Sequence, residues 1–140
     1  MRVVFDTNVY ISAAIKSELA ENLIELAAKT DFITLLTSEE ILDELREKLT
    51  SKFERSETIT DIFIDRIRKI AELIEITEKV NVVKRDPSDN KILECALAGE
   101  ADLIVTLDQD LIKLKNFKGI GIIHSKTLSW TFPEYLKKKN

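Results

Sequence analysis

The stretch Arg2–Ile15, RVVFDTNVYISAAI, decides how the rest of the chain is read. Residues 2–5 predict a short buried strand, with Val3, Val4 and Phe5 running without polar interruption. The apolar continuation 9–15 predicts a helix. Asp6, Thr7 and Asn8 lie between the two. A lone carboxylate against a core is unfavourable unless something compensates its charge, so the junction asks for a compensating partner.

Working outward, Ser17 is placed to cap a helix over 18–29, with Leu19, Leu23, Ile24, Leu26 and Ala27 as its inward stripe. Phe32–Leu36 predicts a second strand. A helix over 39–50 starts at Thr37 or Ser38, and the polar run 50–58 predicts a loop. A long amphipathic helix follows over 58–74, with Ile62, Ile67, Ile70, Ala71 and Ile74 on one side; it is also a candidate dimer or partner surface. A brief strand is expected at 80–83. Asp86-Pro87-Ser88 reads as a helix start, with Asp86 as cap, and that helix runs to Ala98, where Gly99 stops it. Leu103–Thr106 and Ile120–Ile123 predict two more core strands around a short helix at 108–114, and the C-terminal FPEYLKKKN predicts a final turn of helix.

Strands alternating with helices imply an α/β fold, here a three-layer α/β/α sandwich around a mostly parallel sheet of four to five strands. With 140 residues and no internal repeat or linker, residues 1–140 are expected to form a single domain. No apolar run is long enough to span a bilayer, and the N-terminus does not read as a secretory leader, so a cytoplasmic location without membrane contact is expected. A lone cysteine, Cys95, excludes an internal disulfide and a structural zinc site, and its apolar helical neighbours make it a core residue. A net charge of −4 argues against a uniformly basic nucleic-acid binder, although acids gathered in one cation site would distort that total.

In open α/β sheets, ligands bind beyond the carboxyl ends of the strands. Asp6 and Asp108 each follow a strand. Helix geometry selects among the other acids. Ile41, Leu42, Leu45 and Leu49 define the inward arc of the 39–50 helix, and at about 100° per residue Glu44 lies on its border while Glu40, Asp43 and Glu47 point away. On the 89–98 helix, Asp89 projects onto the centre of the face made by Ile92, Leu93, Ala96 and Leu97, in the first turn where the helix dipole favours its charge. Asp6, Glu44, Asp89 and Asp108 are thus carboxylates able to converge at one end of one sheet. Unpaired they would repel one another; a hard divalent cation such as Mg2+ or Mn2+ relieves that repulsion, lowers the pKa of bound water and clamps a phosphodiester oxygen.

The combination VVFDTNVYISA, LTSEEILDELREKL and RDPSDNKILECALAGEADLIVTLDQDL, in this order and followed by a closing strand, resembles the PIN-domain family over nearly the whole chain, especially its prokaryotic VapC-like toxin components. The resemblance implies a fold similar to flap endonucleases and a Mg2+- or Mn2+-dependent endoribonuclease acting on single-stranded or structured RNA. It also implies an antitoxin protein as partner and a homodimer. It places the four family acids on Asp6, Glu44, Asp89 and Asp108 as catalytic and metal-binding residues. Asn8 and Thr106 fall on orienting positions, and Asp86 and Asp110 on additional acids. In-line attack by an activated water would leave 5′-phosphate and 3′-hydroxyl ends.

Each residue also has a plainer reading. Asp6 and Asn8 suit a strand-end turn, Glu44 an i,i+4 pair with Lys48, Asp89 a capping box with Asp86, and Asp108 a helix cap. Lys84 and Arg85, beside the expected site, are candidate phosphate contacts. His124 lacks a second histidine or cysteine near it and reads as structural. Trp130, Phe132 and Tyr135 read as a tail anchor or interface rather than a stacking platform. Two further classes compete: an RNA-binding or scaffold domain without turnover, and a phospho-acceptor receiver or haloacid-dehalogenase-like phosphatase. The phosphatase wants a second aspartate where Asn8 stands, and no receiver acceptor and lysine can be placed.

Overall fold

The computed structural model describes residues 1–15, 17–80 and 88–131. Arg2–Phe5 forms β1, and Thr7–Ile15 forms α1, so Thr7 and Asn8 belong to the first turn of the helix rather than to a loop before it. α2 spans Glu18–Lys29, with the Ser17 hydroxyl accepting from the Ala20 N–H at 3.1 Å. β2 is Thr34–Thr37, shifted from the predicted 32–36 because Phe32 is exposed and precedes the ladder. α3 spans Glu39–Glu47, capped by Ser38, and continues as a π-helical turn over Lys48–Lys52.

α4 is Glu57–Ile70, shorter than the predicted 58–74. Its continuation, Glu72–Leu73, is β3, which pairs in parallel with β2. The periodic apolar pattern runs across this helix–strand junction, and the sheet edge competes successfully for the last residues. The inward face of α4 is Thr60, Ile64 and Ile67, and Ile62 is 67% exposed, which corrects its expected inward placement. α5 is Ser88–Ala98, β4 Leu103–Thr106, α6 Gln109–Ile112, β5 Asn116–Phe117, β6 Ile120–His124 and α7 Ser125–Thr131. Sequence reading misses β5, a two-residue antiparallel edge, and α7, whose SKTLSWT has no strong apolar period. Residues 81–83 of the predicted strand, Lys84, Arg85, the Asp86-Pro87 helix start, and the C-terminal residues 132–140 with Phe132 and Tyr135 lie outside the described residues.

The sheet has six strands in the order β3-β2-β1-β4-β6-β5, one or two more than expected because both edges are short. All pairings are parallel except β5 with β6. The chain winds from β1 outward through β2 and β3, then returns to β4 on the other side of β1. The order therefore reverses between β1 and β4, the point at which such sheets open a crevice. Helices cover both faces. On one side the core gathers Phe5, Tyr10, Leu23, Leu42, Leu45 and Ile64; on the other it gathers Val4, Leu36, Ile92, Leu93, Ile104 and Ile122. Cys95 lies in the second core, and burial pushes its thiol up to about 12. No described helix is long and apolar enough to cross a membrane.

The end of α5 differs from its predicted stop in one detail. The left-handed residue is Glu100 (φ 52°), not Gly99. The N–H of Ala101 reaches the Ala96 carbonyl at 2.9 Å and that of Glu100 reaches Leu97 at 3.3 Å, the paired bonds of a Schellman ending. Gly99 is needed for space. A Cβ there would lie 2.9 Å from Leu36 Cδ1 and 3.1 Å from both the Cys95 carbonyl oxygen and Ile74 Cγ1. Overpacking of this kind costs about 1–3 kcal/mol. Gly99→Ala is therefore expected to lower the urea midpoint with the m-value unchanged; an unaltered midpoint would show that α5 shifts without cost.

Candidate functional site

Register brings the site together. Phe5 pairs with Val105, and the Asp6 N–H donates to the Val105 carbonyl at 2.9 Å, so Asp6 stands opposite Thr106 at the carboxyl ends of the two central strands. Asp6 is 3% exposed. Its Oδ2 accepts from the Thr106 hydroxyl at 2.8 Å and from Asn8 Nδ2 at 3.1 Å. Its Oδ1 lies 3.2 Å from the Thr7 hydroxyl. Burial raises the Asp6 pKa above the usual carboxylate value, and the hydrogen bonds from Thr106 and Thr7 and the Lys48 charge oppose that rise.

Two short relays spread from Asp6. Toward α3, the same Thr7 hydroxyl lies 3.3 Å from Glu44 Oε2. Toward α6, Thr106 Oγ1 accepts from the Asp108 N–H at 2.9 Å, and Asn8 Oδ1 accepts from the Leu107 N–H at 3.2 Å. Asn8 and Thr106 thus both donate to the Asp6 carboxylate, and the Thr7 hydroxyl lies between Asp6 and Glu44. Because Thr7 and Asn8 lie in the first turn of α1, their side chains turn back over the strand end.

Glu44 is half-buried on α3, its side chain 11% exposed, and Glu40 is also half-buried rather than turned fully to solvent, whereas Asp43 and Glu47 face solvent. The expected Lys48 partner is present, with Nζ 3.9 Å from Oε2. A second lysine is unforeseen: Lys91, in the first turn of α5, has Nζ 3.9 Å from Glu44 Oε1. It brings the start of α5 against α3 beside the site. Nothing in the local sequence marks Lys91, because its role depends on two helices that meet only in the folded chain.

Asp89 is 5% exposed in that same first turn, on the inward face with Ile92, Leu93 and Ala96, as helix geometry predicts. Asp108 is half-buried and caps α6: its Oδ1 accepts from the Asp110 N–H at 2.8 Å. The cap reading of Asp108 is thus observed, and it leaves Oδ2 available. Asp110 is half-buried in the first turn of α6. His124 ends β6 and caps α7, its Nδ1 accepting from the Lys126 N–H at 3.0 Å. Trp130 is 72% exposed.

Among the described residues, no three acids lie close enough together to hold a metal ion in this arrangement. The donor chemistry nevertheless fits a hard divalent cation: every acid is an oxygen donor, and the most buried one carries a charge that burial disfavours. Lysine ammoniums currently face the Glu44 carboxylate.

Comparison with known proteins bears on the family and the fold. The chain is 31% identical over 134 residues to an uncharacterized protein, MJ1680, of Methanocaldococcus jannaschii, the match covering 90% of this chain and 84% of that protein. Its fold is similar to a chain in the crystal structure of VapBC2 from Rickettsia felis bound to a DNA fragment from their promoter. That match has a TM-score of 0.64 at 19% identity, over 89% of this chain and 98% of the other. A PIN-domain family model matches residues 2–110, which hold β1, Asp6, Glu44, Asp89, β4 and Asp108. With that model matching residues 2–110 and the relative 31% identical over 90% of the chain, the chain belongs to the PIN-domain family, a family of nucleases.

Proposed function

We propose that this protein is a Mg2+- or Mn2+-dependent endoribonuclease that cleaves single-stranded RNA, the toxin of a toxin–antitoxin pair. One observation carries the reading. The buried Asp6 stands at the reversal point of the sheet, linked through Thr7 to Glu44 and through Thr106 to Asp108. Asp6, Glu44, Asp89 and Asp108 would hold the cation, which when bound supplies a water of lowered pKa and a counter-charge for phosphate.

The chain's own residues do the positioning. Thr106 and Asn8 fix Oδ2 of Asp6 by donating to it, leaving Oδ1 toward Thr7 and Glu44. Glu44 is held between Lys48 and Lys91, so it can turn toward a cation or a water while those ammoniums turn to the phosphate oxygens of the substrate. Two lysines beside Glu44 let an acidic protein receive a polyanion. Lys84 and Arg85 are proposed to extend that cationic rim, and Asp86 and Asp110 to support the acids.

For partners, an antitoxin follows from kinship with the PIN-domain family and from the likeness of fold to the VapBC2 structure. A homodimer is supported by Ile59 and Ile62, 61% and 67% exposed on α4.

A second reading, RNA binding without turnover, is favoured by the lack of a ready three-acid group among the described residues. End-labelled single-stranded RNA separates the two. The nuclease predicts cleavage in Mg2+ or Mn2+ that leaves 5′-phosphate ends and stops in EDTA. Binding without cleavage under every cation condition would establish the second reading, and cleavage undiminished by EDTA would overturn the assigned chemistry.

A further inference from the structure

Beside the carboxylates lies a cavity of about 150 Å³ that the chemistry above does not use. Val9, Ser12, Leu19, Leu107, His124 and Ser125 line it. It lies next to the site: one wall, Leu107, is the residue whose N–H bonds Asn8, and Val9 directly follows Asn8 on α1. The cavity therefore opens at the carboxyl ends of β4 and β6, where a nucleotide next to the reacting phosphate would fall.

We infer that this cavity is a nucleobase pocket, taking from the RNA strand a pyrimidine with a carbonyl rather than an amino group at C4, of the uracil class. The inference rests on the ribonuclease reading of the adjoining site. Size supports it: about 150 Å³ is well below the roughly 300–1,000 Å³ of pockets for drug-sized ligands and suits one flat ring. Lining supports it as well, since Val9, Leu19 and Leu107 offer apolar walls to the faces of a ring while serines and a histidine offer polar contacts to its edge.

His124 supplies the discrimination. Its Nδ1 already accepts from the Lys126 N–H, so in the neutral ring the proton sits on Nε2, a donor and not an acceptor. A donor fixed by a second bond selects a carbonyl edge over an amino edge. The role differs from metal ligation or general-base work, which need a free lone pair. A site built to hydrogen-bond one edge rejects the analogue that lacks it, because the half-buried donor, once covered by the bound ring, is then left unpaired.

The test uses the full chain carrying Asp6→Asn, so that binding is read without cleavage, in Mg2+ and in EDTA. The probes are single-stranded oligonucleotides of uridine, cytidine or adenosine, and a uridine oligonucleotide with one abasic site moved along it. The expected results are a preference for uridine of about tenfold and one position at which the abasic change costs about tenfold. Both disappear in His124→Ala and in the pocket-filling Ser12→Leu, while His124→Gln, which keeps a donor, restores the preference. Circular dichroism on each variant identifies any that fails to fold, and Ser12→Leu and His124→Ala report independently. Equal binding of all bases with no sensitive position would overturn the pocket and leave the nuclease reading standing. No binding to any oligonucleotide would overturn both.

Discussion

Asp6→Asn is expected to abolish RNA cleavage, by about a thousandfold or more, and at the same time to raise the melting temperature of metal-free protein at neutral pH. The first effect is electrostatic. Asparagine keeps the shape but removes the negative charge that would hold a cation at the sheet's reversal point, and loss of one preorganised charge-stabilising group alone costs about a hundredfold to a thousandfold. The second effect follows from burial. Asp6 is 3% exposed and its pKa is raised by desolvation. The hydrogen bonds can be rebuilt around an amide: its oxygen accepts from Thr106 and Asn8 as Oδ2 does now, and its NH2 donates to the Thr7 hydroxyl, which then donates to Glu44. The buried charge is gone, and its removal is expected to outweigh the second amide proton and the Thr7 backbone N–H bond to the carboxylate, which the amide does not match. A gain on the order of 1 kcal/mol would appear as a few degrees for a chain of this size.

The sign with pH is fixed by the same shift. A folded pKa above the unfolded value means that, between the two, the folded state holds more protons than the unfolded state. Stability from this group is therefore full below the unfolded carboxylate pKa, near 3.9, and is lost as pH rises through the folded value. Wild type and Asp6→Asn should melt alike in acid and separate toward neutrality, the variant higher, in EDTA. A gap that does not change with pH would mean that Asp6 is not the titrating group. Cleavage retained by the variant would remove Asp6 from the reaction.

Much of this site is legible in the sequence wherever one element suffices to place a residue. Asp6 is marked by an abrupt polar insert after an apolar strand. Glu44 and Asp89 are marked by the arcs of their own helices, and both lie where those arcs put them, half-buried and buried. Legibility fails where two elements compete or meet. The apolar period of α4 continues past Ile70 into residues that join the sheet edge as β3, and Ile62, counted into the inward face by a helix drawn too long, is exposed. Gly99 reads as a conformational stop, but its place is fixed by Leu36 and Ile74 arriving from elsewhere in the chain. Lys91 is another case, since only the packing of α5 against α3 brings it to Glu44.

That lysine leads to a further expected result of large size. Glu44→Gln should lower cleavage by about a hundredfold, and Lys91→Gln should move two binding constants in opposite directions. Among the described residues, Glu44 has one ammonium 3.9 Å from each carboxylate oxygen and, as a nearer partner, the Thr7 hydroxyl at 3.3 Å. At that separation two unit charges attract by about 1 kcal/mol in bulk water. The lysine side chains are 37% and 43% exposed, so each pair is discounted to about 1 kcal/mol at most. Ions bound this weakly compete with a divalent cation without excluding it. Removing one should lower the Mg2+ concentration needed to raise the melting temperature, by a fewfold, since 1.4 kcal/mol is tenfold in a binding constant. If Lys91 turns to the substrate phosphate when a cation takes Glu44, the same change should weaken RNA binding and reduce its salt slope by about 0.7 for the lost contact. Tighter Mg2+ binding with an unchanged salt slope would make Lys91 a counter-ion of the resting site alone. Weaker Mg2+ binding would show that Lys91 holds Glu44 in its productive place rather than competing for it.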